Sequence, residues 1–326
     1  MKKIVVAPDS FKGSLTSAEV ADAVERGIKD VFPQCNVVKA GVADGGEGTV
    51  EAIVKAVGGD MYAASVTDPL GRPVKAAYGI VRSGGVKTAV MEMSAASGLP
   101  LLLPDELNPW ITSTYGTGEM ISDALNRGCR KFLVGIGGSA TNDAGTGMLS
   151  ALGVRFLDSR GQRLKGCGRD LESIARIDMS SLMPAARESE FIVACDVNTP
   201  FCGPDGAARV FAPQKGANPQ TTEALDRGMR SFAQVIAGQF QTDIVPLSGA
   251  GAAGGLGGAF KAFLNARLTA GIEMVLDAIA FDSLLEGADL VITGEGRIDA
   301  QTAAGKTAAG VLRHAARKGI PVIAIG

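Results

Sequence analysis

Residues 131–149, KFLVGIGGSATNDAGTGML, carry the clearest structural signal in this chain. The apolar residues 132–136 are typical of a buried strand. This strand is predicted to end at Gly137 and Gly138, where the missing side chains let backbone N–H groups approach a ligand. A helix predicted from about residue 142 would direct its positive end toward the same point. Strand, glycine loop and helix together predict an α/β fold with an anion site at this loop.

Polar residues follow the two glycines closely. Four of them can either cap a helix or hydrogen-bond a ligand: Ser139, Thr141, Asn142 and Asp143. Glycine loops without such residues are mostly tight turns, and a tight turn remains the alternative here. Because the polar residues are so dense, we interpret the loop as a binding site for a phosphate or a carboxylate.

The same order of elements occurs at the N-terminus. Residues 4–7 form a short apolar strand, and a periodic helix capped by Ser17 is predicted after it. A second strand, residues 37–42, precedes Asp44, Gly45 and Gly46, and a helix follows. This alternation predicts a parallel sheet with ligands at the carboxyl ends of its strands.

The chain is long enough for two domains. Residues 60–93 show extended strands without a helix between them, which interrupts the alternation. We therefore predict two α/β domains. Residues 1–65 and 260–326 form a discontinuous Rossmann-like domain with a parallel sheet, and residues 66–259 form a second domain with a mixed sheet. The last predicted strand, residues 321–325, has nothing after it to cover it, so we expect further chain beyond it; coverage by the existing helices is the alternative.

Composition excludes several classes of protein. Lys and Arg number 32 against 34 Asp and Glu, so we expect no nucleic-acid partner and no membrane partner. The five cysteines form no C-x-x-C pair, which argues against a zinc site or a disulfide framework. The N-terminus is too polar for a signal peptide, and the longest uncharged run, residues 244–260, is rich in Gly and Ala. We expect a cytoplasmic protein.

Acidic residues follow four predicted strands: Asp9, Asp44, Asp196 and Glu295. A single one is often only a helix cap, but four at the ends of parallel strands suggest a shared pocket. Candidate cations for this pocket are Lys12, Lys215, Arg297 and Lys306. Each alone is typical of a solvated surface, whereas together beside glycine loops they suit a phosphorylated ligand.

Several familiar motifs are incomplete. The segment 305–307 resembles the end of a Walker A loop, but Ala300 replaces its first glycine and the strand ends too early. A dinucleotide fingerprint fails at Ala140. The only histidine, His314, has basic neighbours and is predicted at the surface, which argues against a Ser-His-Asp mechanism. A metal ion would then need oxygen ligands, which indicates magnesium, and the whole set favours phosphoryl transfer.

Long motifs in order along nearly the whole chain resemble the type I glycerate kinases. They are APDSFKGSLTS (7–17), VADGGEGT (42–49), TDPLGRPV (67–74), GIGGSATNDAGTGML (135–149), CDVNTPFCGPDGA (195–207), FAPQKGA (211–217), GAGAAGGLGGAF (249–260) and DLVITGEGRIDAQTAAGK (289–306). The resemblance implies two α/β domains with a central cleft that holds the active site. It also implies phosphorylation of D-glycerate by ATP and Mg²⁺, generally at the 2-hydroxyl, and members of the family continue past residue 326.

Carried over by position, the resemblance implies roles for individual residues. Asp196 and Lys12 are the expected catalytic residues, with Asp196 as the base that accepts the hydroxyl proton or as a metal ligand. The expected substrate-binding residues are Asp9, Ser10, Asp44, Gly45, Gly46 and Arg297. The expected nucleotide-binding residues are Gly137, Gly138, Ser139, Thr141, Asn142 and Glu295. Two alternatives stay open: a kinase of a related small hydroxy acid, and a non-catalytic sugar-acid or nucleotide sensor.

Overall fold

A computed structural model describes residues 1–11, 13–46, 48–83, 85–298 and 307–326. The fold is mixed α/β with parallel sheet strands, which confirms the predicted fold class. The chain divides into two compact units. Unit 1 comprises residues 1–59 and 270–326, and unit 2 comprises residues 60–269.

The strands, numbered in chain order, are β1 Lys3–Pro8, β2 Asn36–Lys39, β3 Gly59–Thr67, β4 Pro73–Ser83, β5 Val86–Glu92, β6 Lys131–Gly135, β7 Arg155–Leu157, β8 Arg176–Asp178, β9 Glu190–Ala194, β10 Arg267–Thr269, β11 Leu290–Gly294 and β12 Val322–Ile325. The helices are α1 Ser17–Val31, α2 Thr49–Val57, α3 Ser94–Ser97, α4 Tyr115–Asn126, α5 Thr146–Ala151, α6 Pro184–Arg187, α7 Ala207–Phe211, α8 Pro219–Phe240, α9 Ala252–Leu264, α10 Gly271–Ala278, α11 Phe281–Leu284 and α12 Thr307–Arg317. Short 3₁₀ turns lie at Leu99–Leu101, Pro104–Glu106, Gly168–Ser173 and Pro213–Lys215.

Unit 1 contains a parallel sheet with the strand order β12-β11-β1-β2. Residues 4–8 of β1 are buried, as expected for a central parallel strand that is covered on both faces. The edge strand β12 is more open, and Ile323 on it is 50% exposed. All four strands run in one direction, so the segments that follow them emerge at one edge of the sheet.

Helix α1 begins one residue earlier than the sequence predicts. Its N-cap is Thr16, whose hydroxyl accepts from the backbone N–H of Glu19, while the Glu19 carboxylate accepts from the backbone N–H of Thr16. This reciprocal capping box satisfies two N–H groups at once. The prediction of Ser17 as the cap is therefore wrong, because its hydroxyl instead donates to the carbonyl of Pro8 at 2.7 Å.

Unit 2 contains a six-stranded mixed sheet with the order β10-β9-β6-β5-β4-β3. The pairs β5–β6, β6–β9 and β9–β10 are parallel, and β4 is antiparallel to β5. Phe132 and Phe191 stack across β6 and β9 with ring centroids 4.7 Å apart, and Phe260 of α9 packs on Phe191. These rings anchor the core beneath the strands whose ends carry the candidate site residues.

His314 on α12 is buried, so the predicted surface position is wrong. Its Nδ1 lies 2.8 Å from an oxygen of Asp282 and its Nε2 lies 3.0 Å from an oxygen of Glu273. The basic neighbours in sequence are exposed, and Arg313 also contacts Glu273. The two carboxylates supply the partners that make burial of the imidazole tolerable. Within the described ranges, no helix is long and apolar enough to cross a membrane.

Candidate active site

The glycine loop of unit 2 directly follows strand β6. Gly137 and Gly138 are exposed, whereas Ser139 is 7% exposed. Two backbone hydrogen bonds tie the loop to the end of α3 and the segment after it: Leu99 N–H donates to the Gly138 carbonyl, and Ala140 N–H donates to the Ser97 carbonyl. Gly138 has a φ of +70°, which an L side chain adopts at a cost. These hydrogen bonds therefore hold the exposed backbone of the two glycines in a fixed position.

The segment after the loop differs from the predicted helix. Helix α5 begins at Thr146, so the predicted start near residue 142 is wrong. The reason is Asp143, whose carboxylate accepts from the backbone N–H groups of Gly145 and Gly147 and makes a turn instead of a helix. Ala144 and Gly145 both have positive φ values, which also interrupt helical geometry. The exposed backbone of the glycines, rather than a helix end, is what this loop offers a ligand.

Asp143 also organises the neighbouring helix. The same carboxylate accepts from the backbone N–H and the hydroxyl of Thr114, at 2.7 and 2.8 Å, just before α4. Asp143 is completely buried, and this burial raises the pKa of its carboxyl group although the four donors oppose the rise. One carboxylate thus joins the starts of α4 and α5 to the glycine loop. Sequence reasoning named Asp143 as a polar loop residue but did not place it among the site residues.

Lys215 lies behind the loop with only 1% of its surface exposed. Its ammonium group donates to the Ser139 hydroxyl at 2.7 Å and to the Thr141 carbonyl at 2.6 Å. Burial lowers the pKa of Lys215 to about 7, although the charge of Asp143 acts in the opposite direction. The sequence identified Lys215 only as one of four candidate cations, because burial of a lysine leaves no local signal.

Thr141 and Asn142 are completely buried in this unit. Their Oγ1 and Oδ1 atoms have no hydrogen-bond partner among the described residues. The Asn142 amide nitrogen lies 3.2 Å from the sulfur of Met229. Gly254 packs so closely that a Cβ there would lie 2.2 Å from the Thr141 carbonyl oxygen. Of the expected nucleotide-binding residues in this loop, the two glycines are therefore the exposed ones.

Asp196 follows strand β9, which lies beside β6 in the same sheet. The parallel register pairs Gly135 of β6 with Ala194 of β9. Asp196 is exposed at the carboxyl end of its strand. Nearby, the Ser248 hydroxyl donates to the side-chain oxygen of Asn198 at 2.7 Å and ties down the segment after Asp196. The carboxylate and the glycine loop therefore emerge at one edge of one sheet.

In unit 1, Asp9 and Ser10 follow strand β1. The Asp9 N–H donates to the Gly294 carbonyl of β11, and the Ser10 N–H donates to an oxygen of Asp9 at 2.7 Å. The other Asp9 oxygen accepts from the Thr307 hydroxyl at 2.5 Å, where helix α12 begins. Asp9 is half-buried, and these contacts fix its carboxylate at the strand end.

The segment Asp44-Gly45-Gly46 follows β2 at the same edge. An Asp44 oxygen accepts from the Gly46 N–H at 3.1 Å, and Gly45 has a φ of +85°. Helix α10 approaches so closely that a Cβ on Gly271 would lie 1.9 Å from the Asp44 carbonyl oxygen. Glycine at position 271 is therefore required for this packing.

Glu295 and Arg297 follow strand β11. The Glu295 N–H donates to the Ile325 carbonyl at 3.2 Å, and its buried Oε1 has no hydrogen-bond partner among the described residues. Arg297 is exposed. Lys12 and Lys306 lie outside the described residues, as does most of the Walker-like segment. Within the part of the chain that is described, no three His, Cys, Asp or Glu side chains are grouped as a metal site.

A glycine loop and a carboxylate at the carboxyl ends of neighbouring parallel strands are typical of α/β enzymes that bind small ligands. The model of the "Glycerate kinase family" matches residues 4–326. The chain belongs to this family and is a kinase. The resemblance seen in the sequence is thereby confirmed.

Individual relatives agree with the family assignment. A glycerate kinase from Haemophilus influenzae is 49% identical over 99% of this chain and 85% of its own length. A glycerate 2-kinase from Escherichia coli is 46% identical over 99% of this chain and 84% of its own length. A crystal structure of a glycerate kinase 2 from Salmonella typhimurium is similar with a TM-score of 0.94 and 47% identity, over 99% of this chain and 86% of that one.

Proposed function

We propose that this kinase phosphorylates D-glycerate at its 2-hydroxyl, with ATP as the phosphoryl donor and 2-phosphoglycerate as the product. The observation that carries the proposal is the placement of Asp196 beside the glycine loop. Gly135 and Ala194 are paired, and Gly137 and Asp196 follow them at the same distance along the chain. A phosphate-binding backbone and a proton acceptor at one sheet edge are the two parts that phosphoryl transfer to an alcohol requires.

Asp196 acts as the general base in this proposal. The carboxylate of Asp196 is exposed at the end of a buried strand, where a substrate hydroxyl can approach it. It accepts the hydroxyl proton as the oxygen attacks the γ-phosphorus and the bond from that phosphorus to the bridging oxygen breaks, which releases ADP. Such a base contributes roughly 10²–10⁴-fold to the rate. Lys12, which lies outside the described residues, is the second proposed catalytic residue.

The nucleotide is assigned to the glycine loop, with Gly137, Gly138 and Ser139 nearest to its phosphates and Thr141 and Asn142 beneath them. Backbone N–H groups suit phosphate oxygens because they carry partial positive charge without a side chain in the way. We assign Glu295 to the nucleotide as well. Its buried Oε1 has no partner among the described residues, which is the chemistry of an oxygen reserved for a ligand.

Glycerate is assigned to the strand ends of unit 1. The carboxylates of Asp9 and Asp44 are held in place by backbone N–H donors, and they suit the hydroxyl groups of the substrate as acceptors. The substrate carboxylate needs a cation, and the exposed guanidinium of Arg297 can bind it through two parallel hydrogen bonds. Ser10, Gly45 and Gly46 complete the proposed set.

Mg²⁺ is the proposed cofactor. Magnesium is usually bound by one or two carboxylates together with substrate phosphates, so it does not need a cluster of three protein ligands. In the alternative to its role as the base, Asp196 would be the protein's oxygen donor to the ion, and the ion, when bound, neutralises charge on the phosphates. All five cysteines are free, which fits the reducing cytoplasm that we propose as the location.

An initial-rate assay tests this function. The purified protein is given ATP and Mg²⁺ with D-glycerate, with L-glycerate, with other short hydroxy acids, or with no acceptor. We expect ADP to form at a high rate only with D-glycerate. Turnover with a different hydroxy acid alone would support a related kinase, and binding without any turnover would support a sensor; either result would contradict the proposal.

A further inference from the structure

Lys215 is anchored firmly behind the glycine loop. It ends the 3₁₀ turn Pro213–Lys215, and the following Gly216 has a φ of +96°. A Cβ on Gly216 would lie 2.2 Å from the Leu107 carbonyl oxygen, so the turn sits directly against that segment. The close packing of this turn therefore holds Lys215 in a fixed position in the core of unit 2.

The ammonium group joins two points of the loop. It bonds the Ser139 side chain and the Thr141 backbone, on either side of Ala140. The Ala140 N–H is itself bound to the Ser97 carbonyl, and the Gly138 carbonyl is bound by Leu99. The loop is thus held by the end of α3 and the segment after it, and by a single lysine.

Stability alone does not account for this lysine. Burying an ammonium group costs several kcal/mol, and an apolar side chain of the same size is often at least as stable. Among the described residues Lys215 has two hydrogen-bond partners for its three protons. The one charged side chain there that acts on it is Asp143, which already accepts four hydrogen bonds. Because burial of this cation is unfavourable for stability, we infer that it serves the function of the loop.

We propose that Lys215 is a positioning residue of the nucleotide site, which holds the loop in its phosphate-binding form and places positive charge behind the exposed glycines. This inference rests on the proposed function, because it assumes that the polyphosphate of ATP binds to Gly137 and Gly138. Lys215 itself does not touch the substrate. It acts through Ser139 and Thr141.

The protonation of Lys215 then becomes coupled to binding. Burial lowers the pKa of the side chain to about 7, so at pH 8 most of the protein carries a neutral amine at this position. A polyphosphate near the loop favours the charged ammonium form. Nucleotide binding at pH 8 must therefore take up a proton from solution, by thermodynamic linkage.

Isothermal titration calorimetry measures this uptake directly. Mg²⁺ and ATP are titrated into the protein at pH 8 in two buffers that differ in ionisation enthalpy. We expect the wild type to take up about 0.5–1 proton per nucleotide, and the Lys215→Met variant to take up close to none. Absence of uptake in the wild type, or equal uptake in both proteins, would overturn the inference. The wild-type measurement stands on its own if the variant does not fold.

Kinetics supply the second readout. In Lys215→Met, which keeps the side-chain volume, we expect the KM for ATP to rise about 10–100-fold while the KM for D-glycerate changes less than about twofold. Lys261→Met, at an exposed position of α9, is the matched control and should change neither constant. A merely structural role would lower the amount of active enzyme and leave both KM values unchanged, which would contradict the inference.

The two proposals fail in different ways. Proton uptake on ATP binding without transfer to glycerate would contradict the proposed function and leave the role of Lys215 supported. Transfer to glycerate without proton uptake, or with an unchanged KM for ATP in the variant, would contradict the role of Lys215 alone.

Discussion

Gly135 of β6 is paired with Ala194 of β9 in a parallel register. The chain continues from Gly135 into the exposed glycines and from Ala194 to Asp196, so both segments leave the sheet at the same level. The paired strands are buried and anchored by stacked phenylalanine rings. Through the backbone of the sheet, this pairing fixes the relative position of a candidate phosphate site and a candidate base along the strand direction.

Replacing Asp196 by asparagine keeps the size of the side chain and removes its ability to accept a proton. We expect kcat to fall roughly 10²–10⁴-fold with little change in thermal stability, because the residue is exposed. Asp205→Asn is the matched control at another exposed position of unit 2 and should keep wild-type kcat. Partial rescue of Asp196→Asn by high Mg²⁺ would identify a metal ligand instead of a base.

Gly138→Val places a β-branched side chain at a residue with a φ of +70° and within 3.4 Å of the Ser94 side chain. We expect nucleotide binding to be lost, since the loop must change conformation and its exposed backbone becomes covered. Calorimetric titration with ATP measures the loss. Gly161→Val is the control for backbone strain alone, because Gly161 also has a positive φ, with open space around it. Normal ATP binding by Gly138→Val would remove the nucleotide from this loop.

His314 predicts a pH dependence of stability. Burial tends to lower its pKa, but the hydrogen bonds to Glu273 and Asp282 outweigh burial and raise it. A raised pKa means that the folded state binds the proton more tightly. The stabilising effect is therefore fully present below the unfolded value of about 6.5 and is lost as the pH rises through the folded pKa.

The pKa of Glu273 is shifted the other way. Burial tends to raise it, but its bonds to His314 and Arg313 outweigh burial and lower it. The contribution of Glu273 to the stability of the fold is present above the ordinary pKa of a carboxyl group. It is lost as the pH falls through the pKa of Glu273 in the folded state.

We expect His314→Gln to lower the free energy of unfolding by about 1–2 kcal/mol at pH 6 and by less at pH 9. Urea denaturation at both pH values measures the difference. Since His314 is the only histidine in the chain, proton NMR of its ring reports the folded pKa directly. An equal loss of unfolding free energy at both pH values, or a ring pKa below 6.5, would contradict this prediction.

Asp143→Asn tests the buried carboxylate that joins the glycine loop to α4 and α5. An amide cannot accept all four hydrogen bonds that the carboxylate accepts, so buried N–H groups lose their partners. We expect urea denaturation to show a loss of about 3 kcal/mol. The control is Asp158→Asn, in a more exposed turn where the carboxylate accepts from two backbone N–H groups. A loss equal to that of the control would show that burial of Asp143 contributes nothing.

The central parallel strands of the two sheets could be predicted from the sequence because their signal is local. Residues 4–7 and 132–136 are continuous apolar runs, and each is followed by glycine or polar residues that end the strand. In a chain of this composition, a continuous apolar run that ends in this way has few structural alternatives to a buried strand. The extended region 60–93 likewise became β3, β4 and β5.

The failures of prediction involve partners that are distant in sequence. His314 was expected at the surface from its basic neighbours, but Glu273 and Asp282 decide its burial. Helix α5 begins later than expected because Asp143 bonds the N–H groups of Gly145 and Gly147, while the distant Thr114 holds the same carboxylate in place. The burial of Lys215 also depends on Ser139 and Thr141, which lie far from it along the chain. Local patterns contain no information about such contacts.

The most direct test of the account is the identity of the product. The protein is incubated with ATP, Mg²⁺ and D-glycerate, and the product is examined by proton-coupled phosphorus NMR. A phosphate ester at the 2-oxygen couples to one carbon-bound proton and gives a doublet, which is the predicted result. A triplet, from an ester at the 3-oxygen, would contradict the position of transfer, and the absence of any new ester signal would contradict glycerate phosphorylation itself.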